Sequence, residues 1–402
     1  ANDGRSLSIE YISGTQYIES VTVNGRTWRY TYNGSGPTRT LHTVTQPDNN
    51  KWVYSLSAFT EDTFQHNNLN NSCRASDISD KRTRVGTVTH PNGVVVKFTT
   101  QATLHGRTNV PSYRVDNNYM YSRCAPQFSL IEKTLSGPGI DTLTWGYNYS
   151  QNAGAYDPNG FTGDTTPGKL TGGLPSNVDD SNFKTTTVSS PDGSKTQYFF
   201  NRDFSSAFEG KKYAEYIYDV DGISLVKVIE MDYEEGARLG TSMVERENDK
   251  PNSIRANISE QRVIQYDLYN NEDAYTTVYT GYDKYGFAKN KIESNTFEAN
   301  KKYTQTIYYH DLTNWLLGLN TSTKLSSNGS SYTEVEKTTY WPATSVYKSL
   351  PNYFYKNNMW IKQNASYITT GNQAGLLNRV NFNNTNRWYE LSDYKRGMPR
   401  SI

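Results

Sequence analysis

The segment Gly163-Asp-Thr-Thr-Pro-Gly168-Lys169-Leu170 has the Gly-x4-Gly-Lys spacing of a phosphate-binding loop. A working loop needs Ser or Thr after the lysine to hold Mg²⁺, and a following helix whose N-terminus faces the phosphates. Leu170 stands in that place and Gly172-Gly-Leu-Pro175 breaks a helix, so the segment reads as a Gly/Pro loop. Carboxylates are paired at Asp179-Asp180, Asp219/Asp221 and Glu234-Glu235. A glycosidase needs two such groups about 5–10 Å apart across a cleft. Each pair here abuts turn signals and reads as solvated turn or strand-edge residues. Asp157-x-Asn159-Gly160 and Asp219-x-Asp221-Gly222 look like the start of calcium loops, but neither continues to the glutamate of an EF-hand. His42, His66, His90, His105 and His310 share no metal-ligand spacing, and His90-Pro91 and His105-Gly106 read as structural positions. No Gly-x-Ser-x-Gly elbow occurs. The expectation is a protein without catalysis, cofactor or metal.

Cys73 and Cys124 lie in turn-like segments, Asn71-Ser-Cys73-Arg and Ser122-Arg-Cys124-Ala-Pro126. They fit either a disulfide, whose loop closure contributes about 4 kcal/mol in the chain-entropy model, or two free thiols. A disulfide implies an oxidising compartment. The opening Ala1-Asn-Asp-Gly4 has no basic or apolar signal region, which fits either a mature secreted start or an artificial boundary within a longer chain. No run of 18 apolar residues is present, so no membrane insertion is expected.

The elements that position these residues follow from composition. Across 402 residues, Lys+Arg 41 against Asp+Glu 40 leaves a net charge of +1, too little for a polyanion-binding field, so nucleic acid is not an expected partner. Hydrophobic residues are only 35%, yet there are 33 Tyr. Disordered chains are aromatic-poor and strongly charged, and this one is neither. Tyr, Thr and Val suit half-buried pleated surfaces, so the composition predicts β structure.

Short β-rich runs recur between turn clusters. Asn24-Gly25 separates two alternating runs, a type I′ hairpin signal because both residues tolerate positive φ. A second pattern, Val-Thr/Ser-x-Pro-Asp/Asn followed by Gly or Asn, appears at Pro47-Asp48, Pro91-Asn92-Gly93 and Pro191-Asp192-Gly193. A third is Tyr218-Asp219-Val-Asp221-Gly222 and Tyr282-Asp283-Lys-Tyr-Gly286. Repeated units bury their faces against neighbours. The expected fold is therefore all-β, an extended stack or spiralling strip of antiparallel hairpins with few short helices. The helical stretches expected are Asp203–Gly210 and single turns near Asp311–Gly318 and Pro342–Tyr347. Residues 1–145 read as an N-terminal hairpin region, 146–186 as a Gly/Asp-rich connecting excursion and 187–402 as a second hairpin region, the whole forming either separate regions or one continuous body.

These units resemble the RHS/YD-repeat proteins, named for the Tyr-Asp dipeptide of their repeats. The resemblance rests on Tyr282-Asp283-x-x-Gly286, the Pro-Asp-Gly hairpins, His105-Gly-Arg-Thr-Asn-Val-Pro111 and Lys395-Arg-Gly-Met-Pro-Arg-Ser-Ile402. It covers residues 4–112, 187–310 and 365–402 most clearly and is closest to the irregular region before the regular array of bacterial members. What it implies is a strip that spirals into a hollow shell, in many members around a C-terminal toxin. Asp157-Pro-Asn-Gly160 is similar to a self-cleavage segment of the family's core, but it sits mid-chain without the rest of that pattern and reads as a turn.

The function expected is a non-catalytic structural scaffold: a segment of shell wall or of a secreted or surface polymer of a bacterium, used in toxin delivery or cell contact. The alternatives are a glycan-binding adhesin using exposed rings among Tyr30, Tyr32, Tyr54, Tyr147, Tyr149, Tyr308, Tyr309 and Trp388, and a carbohydrate-active enzyme. Partners expected are further strands at the sheet edges, from self-association or from continuation of the same polypeptide, with a glycan or an enclosed toxin as further candidates.

Overall fold

The computed structural model describes residues 6–60, 82–107, 124–149, 183–203, 206–238, 254–267, 269–347, 349–356, 359–361, 365–368, 376–381 and 388–392. Its first strands are β1 (Leu7–Tyr11), β2 (Ile18–Val23), β3 (Arg26–Asn33), β4 (Thr40–Thr45), β5 (Lys51–Ser55), β6 (Thr83–Thr89), β7 (Val95–Gly106), β8 (Cys124–Gly137) and β9 (Ile140–Tyr149). There follow β10 (Phe183–Ser189), β11 (Lys195–Asn201), β12 (Lys212–Tyr218), β13 (Leu225–Arg238), β14 (Ile254–Tyr266), β15 (Glu272–Thr280) and β16 (Asn290–Asn295). The last of the large sheet are β17 (Lys302–Asp311), β18 (Leu316–Ser326), β19 (Thr333–Tyr340), β20 (Pro351–Lys356) and β21 (Met359–Ile361). Each pairs antiparallel with the next in the chain, giving one 21-stranded meander. A separate three-stranded sheet joins β22 (Ser366–Tyr367), β23 (Leu377–Asn381) and β24 (Trp388–Glu390). The all-β hairpin architecture is as the sequence predicts. The strands on either side of the connecting excursion are hydrogen-bonded neighbours, Gly146–Tyr149 of β9 lying against Thr186–Ser189 of β10.

The turns explain the repeated motifs. Asn24 (φ 50°) and Gly25 (φ 77°) form the two-residue loop between Val23 and Arg26. The Pro-Asp motifs and the Tyr282-Asp283 motif, different in sequence, make one and the same longer turn. In both, the first residue's N–H donates to the carbonyl four residues on, and the fourth residue's N–H donates back to the first. This holds for His90 with Val94 and Gly93, Ser190 with Ser194 and Gly193, and Asp283 with Phe287 and Gly286. Gln46 makes it with Asn50 and Asn49. The fourth residue has positive φ in every case, as a type I turn closed by a G1 bulge requires.

The carboxylate or amide works from a different place in each motif. Asp48, Asn92 and Asp192, at the third position, accept the N–H of Asn50, Val94 and Ser194. Asp283, at the first position, accepts the N–H of both Tyr285 and Phe287. Tyr266-Asp267 is a further unit of this kind: Asp267 accepts from Tyr269 and Asn271, and Asn270 (φ 61°) takes the place of glycine. The Asp219 turn is one residue longer, closing on Ser224, with Asp221 accepting from Ile223 and Ser224.

Strand alternation then sorts the side chains. In β12, Ala214, Tyr216 and Tyr218 are buried while Glu215 and Ile217 face the other way, and Tyr213, at a register shift with β11, packs against the core ring Phe183. Tyr216, Val228, Ile264 and Ala274 stand opposite one another across β12 to β15. With Phe183, Phe199, Ala214 and Tyr218 they form the core. Fully burying a ring such as Phe199 contributes about 2–3 kcal/mol.

The three expected helical stretches are turns instead. Within Asp203–Gly210 the bonds are isolated, Ser206 N–H to Asp203 and Glu209 N–H to Ser206, and Gly210 N–H returns to Asn201, closing a loop between β11 and β12. Residues 312–315 are the turn between β17 and β18, anchored by Asp311 accepting from Thr313 and Asn314. Residues 342–347 form turns closed by Ser345 N–H to Pro342. The helices among the described residues are two single 3-10 turns, Gly36–Thr38 and Ser57–Phe59.

Candidate functional site

Two groups of polar residues have geometry beyond turn formation. The first lies at register shifts in the sheet. Tyr32, Tyr149, Tyr233, Tyr282 and Tyr340 each donate a hydroxyl hydrogen bond to a backbone carbonyl of the preceding strand: Ile18, Leu130, Lys212, Ile258 and Asn320, at 2.5–2.9 Å. Each of these carbonyls belongs to a residue beside a register shift with the strand before it, where the bulge disrupts backbone pairing, and the phenol supplies a partner while its ring packs on the sheet. Burial raises the pKa of all five, that of Tyr282 to about 12.

At the Tyr-Asp unit, His310 Nε2 lies 2.8 Å from Asp283 Oδ2, and Gly318 N–H donates to its Nδ1 at 3.0 Å. The imidazole therefore carries its proton on Nε2 and ties the turn to the next hairpin. Burial pushes the Asp283 carboxyl up, but hydrogen bonds from Phe287, His310 and Tyr285 outweigh it and leave the pKa below the usual carboxylate value.

The second group lies where β9 ends. This strand opposes β8 only from Glu132 and β10 only from Thr186, so among the described residues no strand lies between the first residues of β8 and β10. There His105 of β7 contacts Ser129 of β8, Nε2 to Oγ 2.7 Å, and meets the Tyr149 ring edge-on at 5.5 Å. Lys184 of β10 approaches His105 Nδ1. The adjoining cleft, about 460 Å³, is lined by His105, Arg107, Lys184, Phe200, Arg202 and Glu209 among others. Arg107 and Glu209 form a two-pronged ion pair at 2.5 and 2.7 Å. Burial and then Arg202 push the Lys184 ammonium down to about 8, and burial lowers the Arg202 guanidinium to about 10. Burial and then Lys184 lower His105 to about 4, so the ring is neutral at pH 7.

Ser129, His105 and Lys184 have the residue types of a nucleophilic triad but the opposite polarity. An ammonium only donates, so Nδ1 accepts and the imidazole proton sits on Nε2, directed at Ser129. A serine nucleophile needs that nitrogen free to take its proton. The arrangement holds a cation in place rather than activating a hydroxyl.

The remaining candidates separate clearly. Glu234 and Glu235 are successive in β13 and point to opposite faces, so they do not oppose each other across a cleft. His42 Nδ1 lies 3.3 Å from the Tyr54 carbonyl, and His90 packs edge-on against Trp52. Tyr309 and Trp388 are exposed, whereas Tyr30, Tyr32, Tyr54, Tyr147, Tyr149 and Tyr308 are half-buried. Among the described residues no group of three His, Cys, Asp or Glu is placed for a metal. Cys73, His66, Asp157–Gly160, the Gly163–Leu170 loop and Asp179-Asp180 lie outside the described residues; Cys124 opens β8 opposite Gly106. Sequence reading missed Ser129, Lys184 and Arg202, which carry no local signal because Lys184 is 79 residues from His105.

Fold and site together define a class: an open, all-β meander strip stitched by aspartate turns and tyrosine hydroxyls. No family model matches the chain, and no curated protein matches it.

Proposed function

We propose that the chain is a non-catalytic structural scaffold, a wall segment of a larger shell or surface polymer of the RHS/YD-repeat type, serving toxin delivery or cell contact. The observation that carries this reading is the convergence of the Pro-Asp/Asn units and of two Tyr-Asp units, at Asp267 and Asp283, on one turn repeated along a single meander. A wall is what such a strip makes when its hairpins continue. The edge strand β1 supports continuation, since Leu7, Ile9 and Tyr11 are exposed and β1 pairs with β2 alone among the described strands. An unblunted apolar edge takes up a further strand, from the same polypeptide or a second copy. Cryo-electron microscopy of the particle the protein forms in its host tests the reading. The expected result is a meander continuous with further hairpins around an enclosed space, and a free-standing domain on a linker would overturn it.

A second reading, glycan binding, draws on a cleft of about 460 Å³ beside Ile307, Tyr309, Tyr340 and Trp341, where Tyr309 is 40% exposed. Sugar rings stack on such aromatics. A glycan array with hits lost in Tyr309→Ala supports it, and an array without hits removes it.

A further inference from the structure

The two rims of the meander carry exposed apolar residues ringed by charges of opposite sign. Because consecutive strands of the large sheet pair antiparallel, alternate turns lie along the same rim. On one rim the turn between β12 and β13 (219–224) lies beside the turn between β14 and β15 (267–271), and Lys227 opposite Gln265 keeps the two level. At about 5 Å per strand the tips are about 10 Å apart. Ile223 and Tyr269 stand on them 80% and 85% exposed, with Val220 beside them. Asp219, Asp221, Asp267, Glu272 and Asp273 are exposed around these side chains, and residues 219–224 and 267–273 contain no Lys or Arg. Lys195 acts on Asp221 from β11, but its ammonium lies over the Tyr218 ring.

On the opposite rim three loops are tied together. The buried Asp311 accepts from Asn314 in its own turn and from Ser349 in the loop before β20, and Asn314 donates to Ala343 of that loop. Tyr285 of the Asp283 turn meets Trp315 edge-on at 6.3 Å. Trp315 and Val346 project from these loops 68% and 72% exposed, with Leu312 also exposed. Trp315 has a left-handed φ of 54°, which strains a bulky residue and which glycine adopts freely. A strained backbone beneath an exposed ring points to a use for that ring outside its own sheet. The carboxylates of these loops face inward, Asp311 by burial and Asp283 towards His310 and its own turn, while Lys284 and Lys289 are exposed.

We propose that the two rims dock on each other between copies of this chain, the carboxylate rim around Ile223 and Tyr269 of one copy taking the lysine rim around Trp315 of the next. Each surface is apolar at its centre and charged at its margin, and the margins are complementary, which is the arrangement of a specific interface. Pairing either rim with its own kind sets like charges against each other. The two surfaces differ, so the contact is head-to-tail, and every added copy presents the same pair of free rims. The β1 edge takes no part in it, so failure of this contact leaves the scaffold reading standing.

The test is sedimentation velocity of the whole chain over a wide range of concentration. The expected result is a sedimentation coefficient that climbs with concentration at low salt and falls back when salt screens the rims. Lys284→Glu with Lys289→Glu, and separately Glu272→Lys with Asp273→Lys, should each weaken association at least tenfold, with circular dichroism confirming that both variants fold. These positions spare Asp221 and Asp267, whose carboxylates close turns. Mixing the two reversed variants should restore association, because each then offers the rim that the other lacks. Trp315→Gly should weaken association at least tenfold without lowering the urea midpoint, since glycine relieves the left-handed strain. A monomer at every concentration, association that survives both reversals, or a mixture no more associated than either variant alone would overturn the proposal. A chain that stays monomeric but binds phosphatidylglycerol vesicles through Trp315 would equally overturn it, assigning the lysine rim to a lipid surface.

Discussion

The hydroxyl of Tyr282 donates a 2.5 Å hydrogen bond to the carbonyl of Ile258, 24 residues earlier in the chain. The next residue, Asp283, accepts the amides of Tyr285 and Phe287 ahead of it. The dipeptide thus clamps backwards to β14 and closes the turn forwards, which is a physical reason for a Tyr-Asp pair to recur at hairpins. Tyr282→Phe keeps the ring and loses the clamp. It should lower stability by about 1 kcal/mol, seen as a lower urea midpoint at unchanged slope.

The raised tyrosines predict alkaline behaviour. Burial first, then nearby carboxylates, push Tyr213 and Tyr282 to about 12, and burial does the same for Tyr367. A phenol whose folded pKa exceeds its unfolded value near 10 contributes stability that is complete below about pH 10 and lost as pH rises through 12. Tyrosinate absorbance and loss of β-sheet circular dichroism should therefore rise together between about pH 10 and 12. Titration of every tyrosine near pH 10 with the sheet intact would contradict this.

Asp283→Ala removes the acceptor of two amides and the His310 partner together. The expected loss is about 2 kcal/mol, against less than about 0.5 kcal/mol for the neighbouring Lys284→Ala. Because the folded carboxyl lies below its unfolded value, its contribution is present above about pH 4 and disappears as pH falls. Thermal melts of Asp283→Asn should accordingly depend less on acid than those of the wild type.

Two turn glycines should respond differently to alanine. Gly25 (φ +77°) has open space around it, so Gly25→Ala costs only backbone strain, about 1–2 kcal/mol. At Gly193 (φ +93°) a Cβ would stand 2.3 Å from the carbonyl oxygen of Val220, a backbone atom that cannot swing aside. Gly193→Ala should lower the melting temperature more than Gly25→Ala does. Equal effects would mean that the close approach of the two turns is absent in solution.

Protonating His105 would place a second N–H against the Lys184 ammonium. Its folded pKa of about 4 lies below the unfolded 6.5, so stability is full above pH 6.5 and declines towards pH 4. His105→Gln should flatten this part of the pH–stability curve, leaving the carboxylate region below it in place. A curve unchanged by the substitution would show that the ring is not held between Ser129 and Lys184.

How far the sequence could be read depended on the range of the interaction. Asn24-Gly25 specifies its own turn, because both residues carry the positive φ locally. The Pro-Asp-Gly and Tyr-Asp motifs each announced a turn, but not that the turns are the same, since the capping side chain moves from the third position to the first. Tyr266-Asp267 went unrecognised because Asn270 performs a glycine's task. The short-range pattern of Asp203–Gly210 fits a helix, whereas the bond from Gly210 to Asn201 that closes it as a loop is set by two strands. His105 and Lys184 meet only because β9 ends at Tyr149, a boundary that neither residue encodes.

The pairing of each described strand of the large sheet with its neighbour in the chain also determines how that sheet can form. Most registers close short loops onto an edge that already exists, so contact order is low for a β protein and the closure entropy at each step is small. The sheet can therefore grow in the order in which the polypeptide leaves a ribosome or an export channel, and a pulling force can unravel it one strand at a time from either end.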